Sequence, residues 1–413
     1  MKVAIIGGGV AGLAAAHDLS DSHEVTIYES AAQLGGHANA VLVPGTNIKV
    51  DTAFLIFNDQ TYQHFHRFIR DLGVQDRSVS AEMSSCFSDC DHNFHYCLGR
   101  GLQPFLQLPT ALVDFKFYQI MASLFRFKKK AIADLDGNID LSRITVEEYL
   151  KPFSKTFVRN FILPLTAAIW SLPADKMLDF PILPMLKYFD NHQLLRGQSQ
   201  NRWRTFQGSS AVYVEAFVEK FRGKIKYLTP VLAVRRVRDQ VQLQTLSGTE
   251  IFDHVVLATH ADVSLKLIQN PTELEKRLLG AWQYEDNPVT LHTDEGLMHT
   301  DSRLWGSWNM SLRDSRYAIT YYLNRIQNIN LGFPIFLTLG KGAFKEDHVL
   351  QRFNYRHPIF TEASIATQEH LPELNHQQGL SFCGSYFGYG FHEDAVKSAK
   401  QAADGIPALK NEH

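Results

Sequence analysis

The feature that most constrains the fold is a glycine-rich turn near the start of the chain. Gly7, Gly9 and Gly12 lie between an apolar segment, residues 2–6, and an alanine-rich segment, residues 13–19. An apolar run followed by glycines and helix-forming residues is typical of a buried parallel strand that turns into a helix. The spacing G-x-G-x-x-G is weak evidence alone, but this strand–turn–helix context makes it specific.

A second strand completes a dinucleotide-binding βαβ unit. Residues 23–29 alternate apolar and polar side chains and end at Glu29. In such a unit the first glycine permits a tight turn, the second lets backbone N–H groups approach a pyrophosphate, and the third lets the helix pack on the strand. We expect the carboxylate of Glu29 to accept hydrogen bonds from ribose hydroxyls.

A second glycine pair favours FAD over NAD. Gly35 and Gly36 follow Glu29 closely, with His37 directly after them, and residues 51–54 (Asp-Thr-Ala-Phe) follow a further short strand. The pair allows a second backbone approach to the diphosphate, which an ordinary NAD dehydrogenase does not need. The sequence therefore predicts a long, extended FAD.

The chain of 413 residues is long enough for two domains, and its pattern of predicted strands and helices changes four times along the sequence. Segments with the strand-rich pattern of a nucleotide-binding domain return later in the chain. The segments between them have mixed secondary-structure patterns, are rich in aromatic residues and are interrupted by prolines. We predict an α/β fold: an FAD-binding domain with a Rossmann-type βαβ unit, interleaved with a mixed α+β substrate domain. The predicted FAD-binding parts are residues 1–80, 206–284 and 376–413, and the predicted substrate parts are residues 81–205 and 285–375.

Composition excludes several classes of protein. Lys and Arg number 41 against 43 Asp and Glu, a net charge of −2, which gives no electrostatic reason to bind nucleic acid. Four cysteines argue against a secreted disulfide framework. No apolar run reaches 18 residues and no signal peptide is recognisable, so we expect a cytoplasmic protein.

A run of cysteines and histidines is a candidate metal site. Cys86, Cys90 and Cys97 stand with His92 and His95 in a spacing that fits no common zinc pattern. Apolar stretches flank the polar turn between them, which favours a β-hairpin without metal.

Motifs along essentially the whole chain resemble a known family. They include GGGVAGL, YES, LGGHANAV, VDTAFLIFN, IWSLP, FDNHQLL, WRTFQGSSAVYVEAF, VVLATHADVSLKLI, LHTDEGLM, YYLNRIQ and FCGSYFGYGFHEDAV. In this order they resemble the flavin amine oxidase and phytoene desaturase superfamily. The resemblance is closer to bacterial NAD/FAD-binding, amine-oxidase-like proteins associated with cyclopropane-fatty-acid synthases. It implies a glutathione-reductase-like FAD-binding domain with an inserted substrate domain.

The resemblance also implies which residues bind FAD. They are Gly7, Gly9, Val10, Ala11, Gly12, Glu29, Gly35, Gly36, His37, Thr52, Phe54, Val231, Thr259, Gly384, Ser385, Phe391, His392 and Glu393. Two positions depart from the family pattern. Ser385 stands where an acidic residue is usual, so we expect the ribityl contact either to fall to Glu393 or Asp394 or to be weaker. Ala53 stands where relatives tend to have glycine, so its methyl group narrows the space beside the flavin.

The leading hypothesis is an FAD-dependent oxidoreductase, or a redox-neutral isomerase, that acts on a long apolar substrate such as a fatty acyl chain by hydride transfer to flavin N5. The alternatives are a flavin amine oxidase and a non-catalytic flavin-binding scaffold for a lipid-modifying partner. No residue stands out as a catalytic acid or base. Five aromatic residues are candidates for the flavin-facing wall: Trp305, Trp308, Tyr386, Tyr389 and Phe391.

Two further features suggest a lipid-related substrate. Phenylalanine accounts for 28 residues, and it suits both a core and an acyl tunnel. Much of it lies outside the glycine-rich segments, at Phe54, Phe57, Phe65, Phe68, Phe105, Phe115, Phe117, Phe125, Phe127, Phe153, Phe157, Phe161, Phe180 and Phe189.

Residues 115–130 combine aromatic side chains with three consecutive lysines, which is typical either of a core-facing helix with a basic end or of a helix at a membrane interface. We expect peripheral contact with the inner membrane face through this segment.

Overall fold

The computed structural model describes most of the chain. The described ranges are 1–99, 114–137, 139–170, 176–192, 194–196, 202–314, 316–340, 342 and 344–407. Phe105 and the end of the IWSLP motif lie outside these described residues.

The described residues form both strands and helices. The strands are β1 (Lys2–Ile6), β2 (Glu24–Tyr28), β3 (Ala40–Leu42), β4 (Lys49–Asp51), β5 (Phe57–Asn58), β6 (Ser78–Ser80), β7 (Ser85–Asp89), β8 (Phe94–Leu98), β9 (Trp203–Phe206), β10 (Lys224–Lys226), β11 (Val231–Val237), β12 (Gln240–Thr245), β13 (Gly248–Phe252), β14 (His254–Leu257), β15 (Gln283–His292), β16 (Trp308–Arg313), β17 (Arg316–Tyr322), β18 (Phe336–Leu339), β19 (Val349–Ile359) and β20 (Leu380–Phe382). The α-helices are α1 (Val10–Leu19), α2 (Gln63–Asp71), α3 (Phe115–Asp136), α4 (Val146–Leu150), α5 (Lys155–Phe157), α6 (Leu163–Trp170), α7 (Ile182–Asn191), α8 (Ala211–Lys220), α9 (Ala261–Leu267), α10 (Glu273–Gly280), α11 (Leu323–Ile326), α12 (Glu362–Gln368) and α13 (His392–Asp404). A π-helical turn, Val158–Ile162, joins α5 to α6.

A five-stranded parallel sheet carries the glycine-rich turn. Its order is β10-β2-β1-β14-β20, so β1 lies between β2 and β14. The strands come from three distant parts of the chain, near residues 2–28, 224–257 and 380–382. Every residue of α1 except His17 and Asp18 is buried, because α1 lies between this sheet and α13. The predicted α/β class with a βαβ unit is confirmed, while the domain boundaries stay a prediction.

A seven-stranded mixed sheet forms the second layer. Its order is β19-β15-β18-β17-β16-β7-β8, and only the β16–β7 pair is parallel. Long strands β15 and β19 pair along almost their whole length, from Gln283 opposite Ile359 to His292 opposite Val349. The helices between β8 and β9 pack beside this sheet.

A cluster of phenylalanines lies in the core beside the second sheet. Phe127, Phe153, Phe157 and Phe189 are buried, and the ring of Phe127 lies within 6.3 Å, centroid to centroid, of each of the other three. Packing of this kind buries large apolar areas with no polar atom to satisfy. These four phenylalanines therefore belong to the core.

The cysteine–histidine run forms the predicted hairpin. β7 and β8 pair antiparallel with Cys86 directly opposite Cys97, and the two sulfurs form a disulfide bond. The count and spacing of the cysteines gave no sign of this bond. Within the described residues no group of three or more His, Cys, Asp or Glu is placed to hold a metal ion.

The segment that begins at Phe115 is a 22-residue helix, α3, with two different faces. Ile120, Phe127 and Ala131 are buried against the core. The opposite face leaves Phe115 and Phe125 exposed by 71% and 75%. Among the described residues, no helix is both long and apolar enough to cross a bilayer.

Candidate active site

A single large cavity lies between the carboxyl ends of the parallel strands and the mixed sheet. Its volume is about 470 Å³, within the range of ligand-binding pockets. The glycine-rich turn, the second glycine pair and the start of α13 form one part of its wall, and β15, β17, β18 and β19 form another. A ligand in an α/β fold binds at this edge of the parallel sheet.

The two glycine-rich segments form a cradle of bare backbone. The N–H of Gly35 donates to the carbonyl of Gly8 at 2.8 Å, so the second loop lies directly on the first. A Cβ atom on Gly36 would lie 3.1 Å from the Cα of Gly9, whereas a Cβ on Gly9 would project into open space. Gly9 is the N-cap of α1 and has no side chain to accept from the free N–H groups of the first turn. Such a bare helix N-terminus binds a phosphate well.

Gly12 packs α1 onto the turn. A Cβ on Gly12 would lie only 1.9 Å from the carbonyl oxygen of Gly7, which leaves no room for any side chain. Gly7 itself has a φ of +101°, a left-handed conformation that favours glycine. These two positions therefore set how the first strand enters the helix.

Glu29 closes the nucleotide end of the cavity. One carboxylate oxygen accepts from the N–H of Gly8 at 2.7 Å and the other from the N–H of Ala31 at 2.7 Å. The side chain is thus fixed at the end of β2, beside the first glycine loop, where the sequence predicts the ribose contact.

Three histidines from distant segments meet along the cavity wall. The ring centroid of His37 lies 5.2 Å from that of His357 and 6.2 Å from that of His260. Burial lowers the pKa of His260 to about 4 and that of His357 to about 3, and the neighbouring imidazoles add to both shifts. Burial also lowers the pKa of His37. The cluster is neutral at physiological pH.

A stacked pair stands where α13 begins. The imidazole of His392 lies on the ring of Phe54 with centroids 3.6 Å apart and planes 9° apart. The Nε2 of His392 is 3.4 Å from the hydroxyl of Tyr213, and burial holds the pKa of His392 well below its usual value. This pair fixes the start of α13 against the loop that carries Thr52 and Phe54.

Away from the glycines the wall is aromatic and aliphatic. Its residues are Leu55, Ile56, Tyr62, Ala168, Ile169, Trp170, Tyr188, Trp203, Val289, Trp308, Tyr321, Leu337, Leu339, Phe360, Tyr389 and Phe391. Glu29 and Arg356 are the only Asp, Glu, Lys or Arg side chains among the described residues that line the cavity. The guanidinium of Arg356 is already paired with Asp262 at 3.0 Å. The rest of the described wall therefore carries no unpaired charge.

Fifteen of the eighteen predicted cofactor residues line this cavity. They are Gly7, Gly9, Val10, Ala11, Glu29, Gly35, Gly36, His37, Thr52, Phe54, Thr259, Gly384, Ser385, Phe391 and His392. Ala53 lines it as well. Contact of each with a bound cofactor stays a prediction.

The other three predicted residues lie elsewhere. Gly12 has the packing role described above, and Val231 is buried in β11 outside the cavity. Glu393 needs a correction: its carboxylate accepts from the N–H groups of His64 and Phe65, at 2.9 Å each, and so caps α2. Asp394 likewise accepts from the N–H groups of a nearby loop. Neither acidic side chain lines the cavity to replace the one missing at Ser385.

The aromatic predictions also need correction. Trp308, Tyr386, Tyr389 and Phe391 line the cavity, but Trp305 does not; its indole N–H donates to the carbonyl of His299 at 2.6 Å. Of the fourteen phenylalanines predicted to suit an acyl tunnel, only Phe54 lines the cavity among those in the described residues. Tyrosine and tryptophan supply most of the aromatic wall instead.

Sequence reasoning missed the residues that β15 and β19 contribute. Tyr284, Tyr355 and His357 are brought to the first glycine loops only by the pairing of these two strands. The hydroxyl of Tyr355 lies 2.5 Å from Thr52 Oγ1 and accepts from the Asn39 side chain at 2.8 Å. No local pattern marks such residues, because their position depends on tertiary structure.

The family model for flavin-containing amine oxidoreductases matches residues 10–306. The chain belongs to this family. It is therefore an FAD-dependent oxidoreductase, and the cavity fits the cofactor. Besides the glycine cradle, the cavity wall holds four buried polar atoms that have no hydrogen-bond partner among the described residues: His37 Nε2, Trp170 Nε1, Trp308 Nε1 and the hydroxyl of Tyr386. A polar ligand satisfies such atoms.

Relatives and solved structures agree with this membership. The zeta-carotene desaturase of Solanum lycopersicum is 23% identical over 236 residues, which cover 54% of this chain and 39% of that enzyme. The match thus spans well under half of that relative's length. The fatty acid isomerase from P. acnes that produces CLA has a TM-score of 0.70 at 13% identity, with 98% of both chains covered. Cyclohexylamine oxidase from Brevibacterium oxydans IH-35A has the same TM-score, identity and coverage. Both structures share the fold of this oxidoreductase.

Two glycine variants test the cradle. Gly12→Ala places a methyl group on the Gly7 carbonyl, so we expect it to lower the free energy of unfolding by several kcal/mol and to abolish FAD binding. Gly9→Ala has open space for its methyl group in the FAD-free protein, so we expect a stability change under about 1 kcal/mol but at least a tenfold loss of FAD affinity. Urea unfolding and FAD titration measure the two effects. Normal FAD affinity in Gly9→Ala would contradict this site.

The histidine cluster predicts how the stability of the FAD-free oxidoreductase depends on pH. A histidine whose pKa is lowered in the folded state takes up its proton in the unfolded state first, so stability falls as pH drops below 6.5. Each of His260 and His357 contributes at most about 1.4 kcal/mol per pH unit between about pH 6 and pH 4.5. We expect the double variant His260→Gln/His357→Gln to have a shallower slope in urea unfolding. An unchanged slope would mean that these imidazoles are not buried and neutral.

Proposed function

We propose that this oxidoreductase acts on a long apolar acyl chain and moves hydride between a substrate carbon and the flavin. Bound FAD supplies a hydride acceptor at its N5 atom. Hydride loss followed by its return at another carbon isomerises the chain, and hydride loss together with a proton from the adjacent carbon desaturates it. Both outcomes need a C–H bond held against the cofactor with water excluded.

The observation that carries this proposal is the uncharged wall of the cavity. Beyond the glycine cradle, the aliphatic residues Ile169, Val289, Leu337 and Leu339 and the aromatic ones around them offer no carboxylate to a protonated amine. Arg356, the only Lys or Arg among the described lining residues, is held by Asp262. The transfer of a hydrocarbon segment from water into such a space is favourable, whereas the desolvation of an unpaired charge there costs free energy. The fatty acid isomerase from P. acnes has the same fold, and this supports the choice of substrate.

Amine oxidation is the second candidate, and an aromatic group favours it. Tyr188 and Phe391 are stacked with centroids 4.8 Å apart, and Trp170 lies 4.9 Å from Tyr188. All three line the cavity, and aromatic faces attract amines through their ring electrons. Cyclohexylamine oxidase shares the fold.

One experiment separates the candidates. The FAD-loaded protein is incubated without oxygen with an unsaturated fatty acid such as linoleate, and in parallel with cyclohexylamine and benzylamine. We expect the fatty acid to be recovered with a moved double bond or two hydrogens lighter by mass spectrometry, and the amines to leave the flavin absorbance unchanged. Bleaching of the flavin by amines alone would establish the second candidate. Product from neither class would favour a non-catalytic flavin-binding scaffold for a lipid-modifying partner.

We also propose that α3 docks this enzyme on an anionic membrane surface. Phe115 and Phe125 lie on its exposed face together with Tyr118, which is 52% exposed. Arg126 and Lys129 are exposed on the same helix. Aromatic side chains that enter the acyl boundary beside lysines that face anionic head groups are typical of an interfacial helix. Such docking gives an acyl substrate a route from the bilayer.

Vesicle flotation tests this docking. We expect the protein to float with vesicles of phosphatidylglycerol and phosphatidylcholine, and Phe115→Ser/Phe125→Ser to reduce the bound fraction at least about tenfold, because each exposed ring contributes on the order of 1.5–3 kcal/mol when buried. Phe333→Ser is the control, since Phe333 is 39% exposed outside α3. Equal flotation of all three proteins would contradict the proposal.

A further inference from the structure

A second cavity lies behind one wall of the flavin cavity. Its volume is about 300 Å³, and Tyr389 is shared by both cavities. Residues from α7, α12 and α13 surround it. They are Leu183, Pro184, Lys187, Ile365, Gln368, Pro372, Phe387, Gly388, Tyr389, Asp394, Lys397, Ser398 and Gln401.

The partition between the two cavities is the segment of residues 385–391. The side-chain amide of Gln368 donates to the carbonyls of Tyr386, at 3.2 Å, and Gly388. One oxygen of Asp394 accepts from the N–H groups of Tyr389 and Phe391, at 3.0 Å each. Side chains that line the second cavity, Gln368 and Asp394, therefore hold the backbone of this partition in place.

The charges around the second cavity favour an anion. Lys187 on α7 and Lys397 on α13 are both exposed, and neither forms a salt bridge within the described part of the chain. Asp394 is the only acidic side chain among the described lining residues, and one of its oxygens already accepts two N–H groups. Burial raises the pKa of Asp394 to about 7, so this carboxyl carries less than a full charge at neutral pH.

The floor of the second cavity is apolar. By this floor we mean Leu183, Pro184, Ile365, Pro372 and Phe387, which line the cavity together with the two lysines. A volume of 300 Å³ equals about ten water molecules at about 30 Å³ each, which suits a head group with a short carbon chain but not a whole long acyl chain. Two ammonium groups above an apolar floor match a ligand with one anionic end and one apolar end.

We propose that this second cavity binds an aliphatic carboxylate, with the carboxylate between Lys187 and Lys397 and the carbon chain on the apolar floor. The ligand lies against the face of Tyr389 opposite the flavin cavity. This site goes beyond the proposed function, because its binding chemistry does not depend on the substrate of the flavin cavity. Because the two cavities share this partition, a ligand in the second cavity contacts the segment that carries Phe391 and leads into α13.

Calorimetric titration of the FAD-loaded full chain with octanoate tests the site. We expect Lys187→Gln/Lys397→Gln to weaken octanoate binding at least about tenfold, because it removes two charge-assisted contacts. Lys400→Gln is the matched control on the same helix, since Lys400 pairs with Asp404 outside the cavity, and it should bind as the wild type does. Octanol, which has the chain without the charge, and acetate, which has the charge without the chain, should both bind more weakly than octanoate. Thermal unfolding confirms that the variants fold.

The possible results separate this site from the function proposed above. Octanoate binding that is lost in the double lysine variant supports the site, even if no acyl compound turns over at the flavin. Equal octanoate affinity in the wild type and the double variant would overturn it, and so would an absence of heat at millimolar octanoate. A fatty acid that is converted by the double variant at the wild-type rate leaves the proposed function intact.

Discussion

The backbone of the first strand–helix turn approaches two other backbone segments so closely that no side chain fits between them. Gly12 packs against the carbonyl of Gly7, and Gly36 packs against the Cα of Gly9. The first contact fixes the direction of α1 under the parallel sheet, and the second places the second glycine loop on the first. Together they leave the N-terminus of α1 without a side-chain cap and open to the cavity. A bare helix N-terminus of this kind is where we expect the diphosphate of FAD to bind.

The rest of the cavity has a different chemistry because it comes from a different layer. The mixed sheet supplies tyrosines, tryptophans and aliphatic side chains, together with histidines that burial keeps neutral. The cavity thus has polar backbone at one end, where we expect the cofactor, and an uncharged wall at the other, where we propose that an apolar substrate binds. Segment 385–391 belongs to this wall and is held from behind by Gln368 and Asp394. The shape of the substrate end therefore depends on side chains that the substrate does not touch.

The nucleotide end could be predicted from the sequence because its determinants are local. Glycines at fixed spacing, a strand before them and Glu29 at the end of the next strand all lie within the first thirty residues. The substrate end could not, because Trp170, Tyr188 and His357 reach the cavity only through the packing of distant helices and strands. Glu393 shows the limit of motif reasoning: its neighbours Phe391 and His392 face the cavity, but its own side chain turns to cap α2. The Cys86–Cys97 disulfide likewise could not be predicted, because it depends on the pairing of β7 with β8 that places the two cysteines opposite each other.

A crystal structure of the protein with FAD bound tests the division of the cavity most directly. We expect the diphosphate over Gly9 and Gly36, the ribose hydroxyls at Glu29, and the flavin ring between the loop of Thr52 and Phe54 and the start of α13 at His392. The face of the ring opposite the glycine cradle should then meet the wall that contains Val289, Leu337 and Tyr188. A diphosphate bound away from Gly9 and Gly36, or a flavin ring outside the apolar cavity, would contradict it.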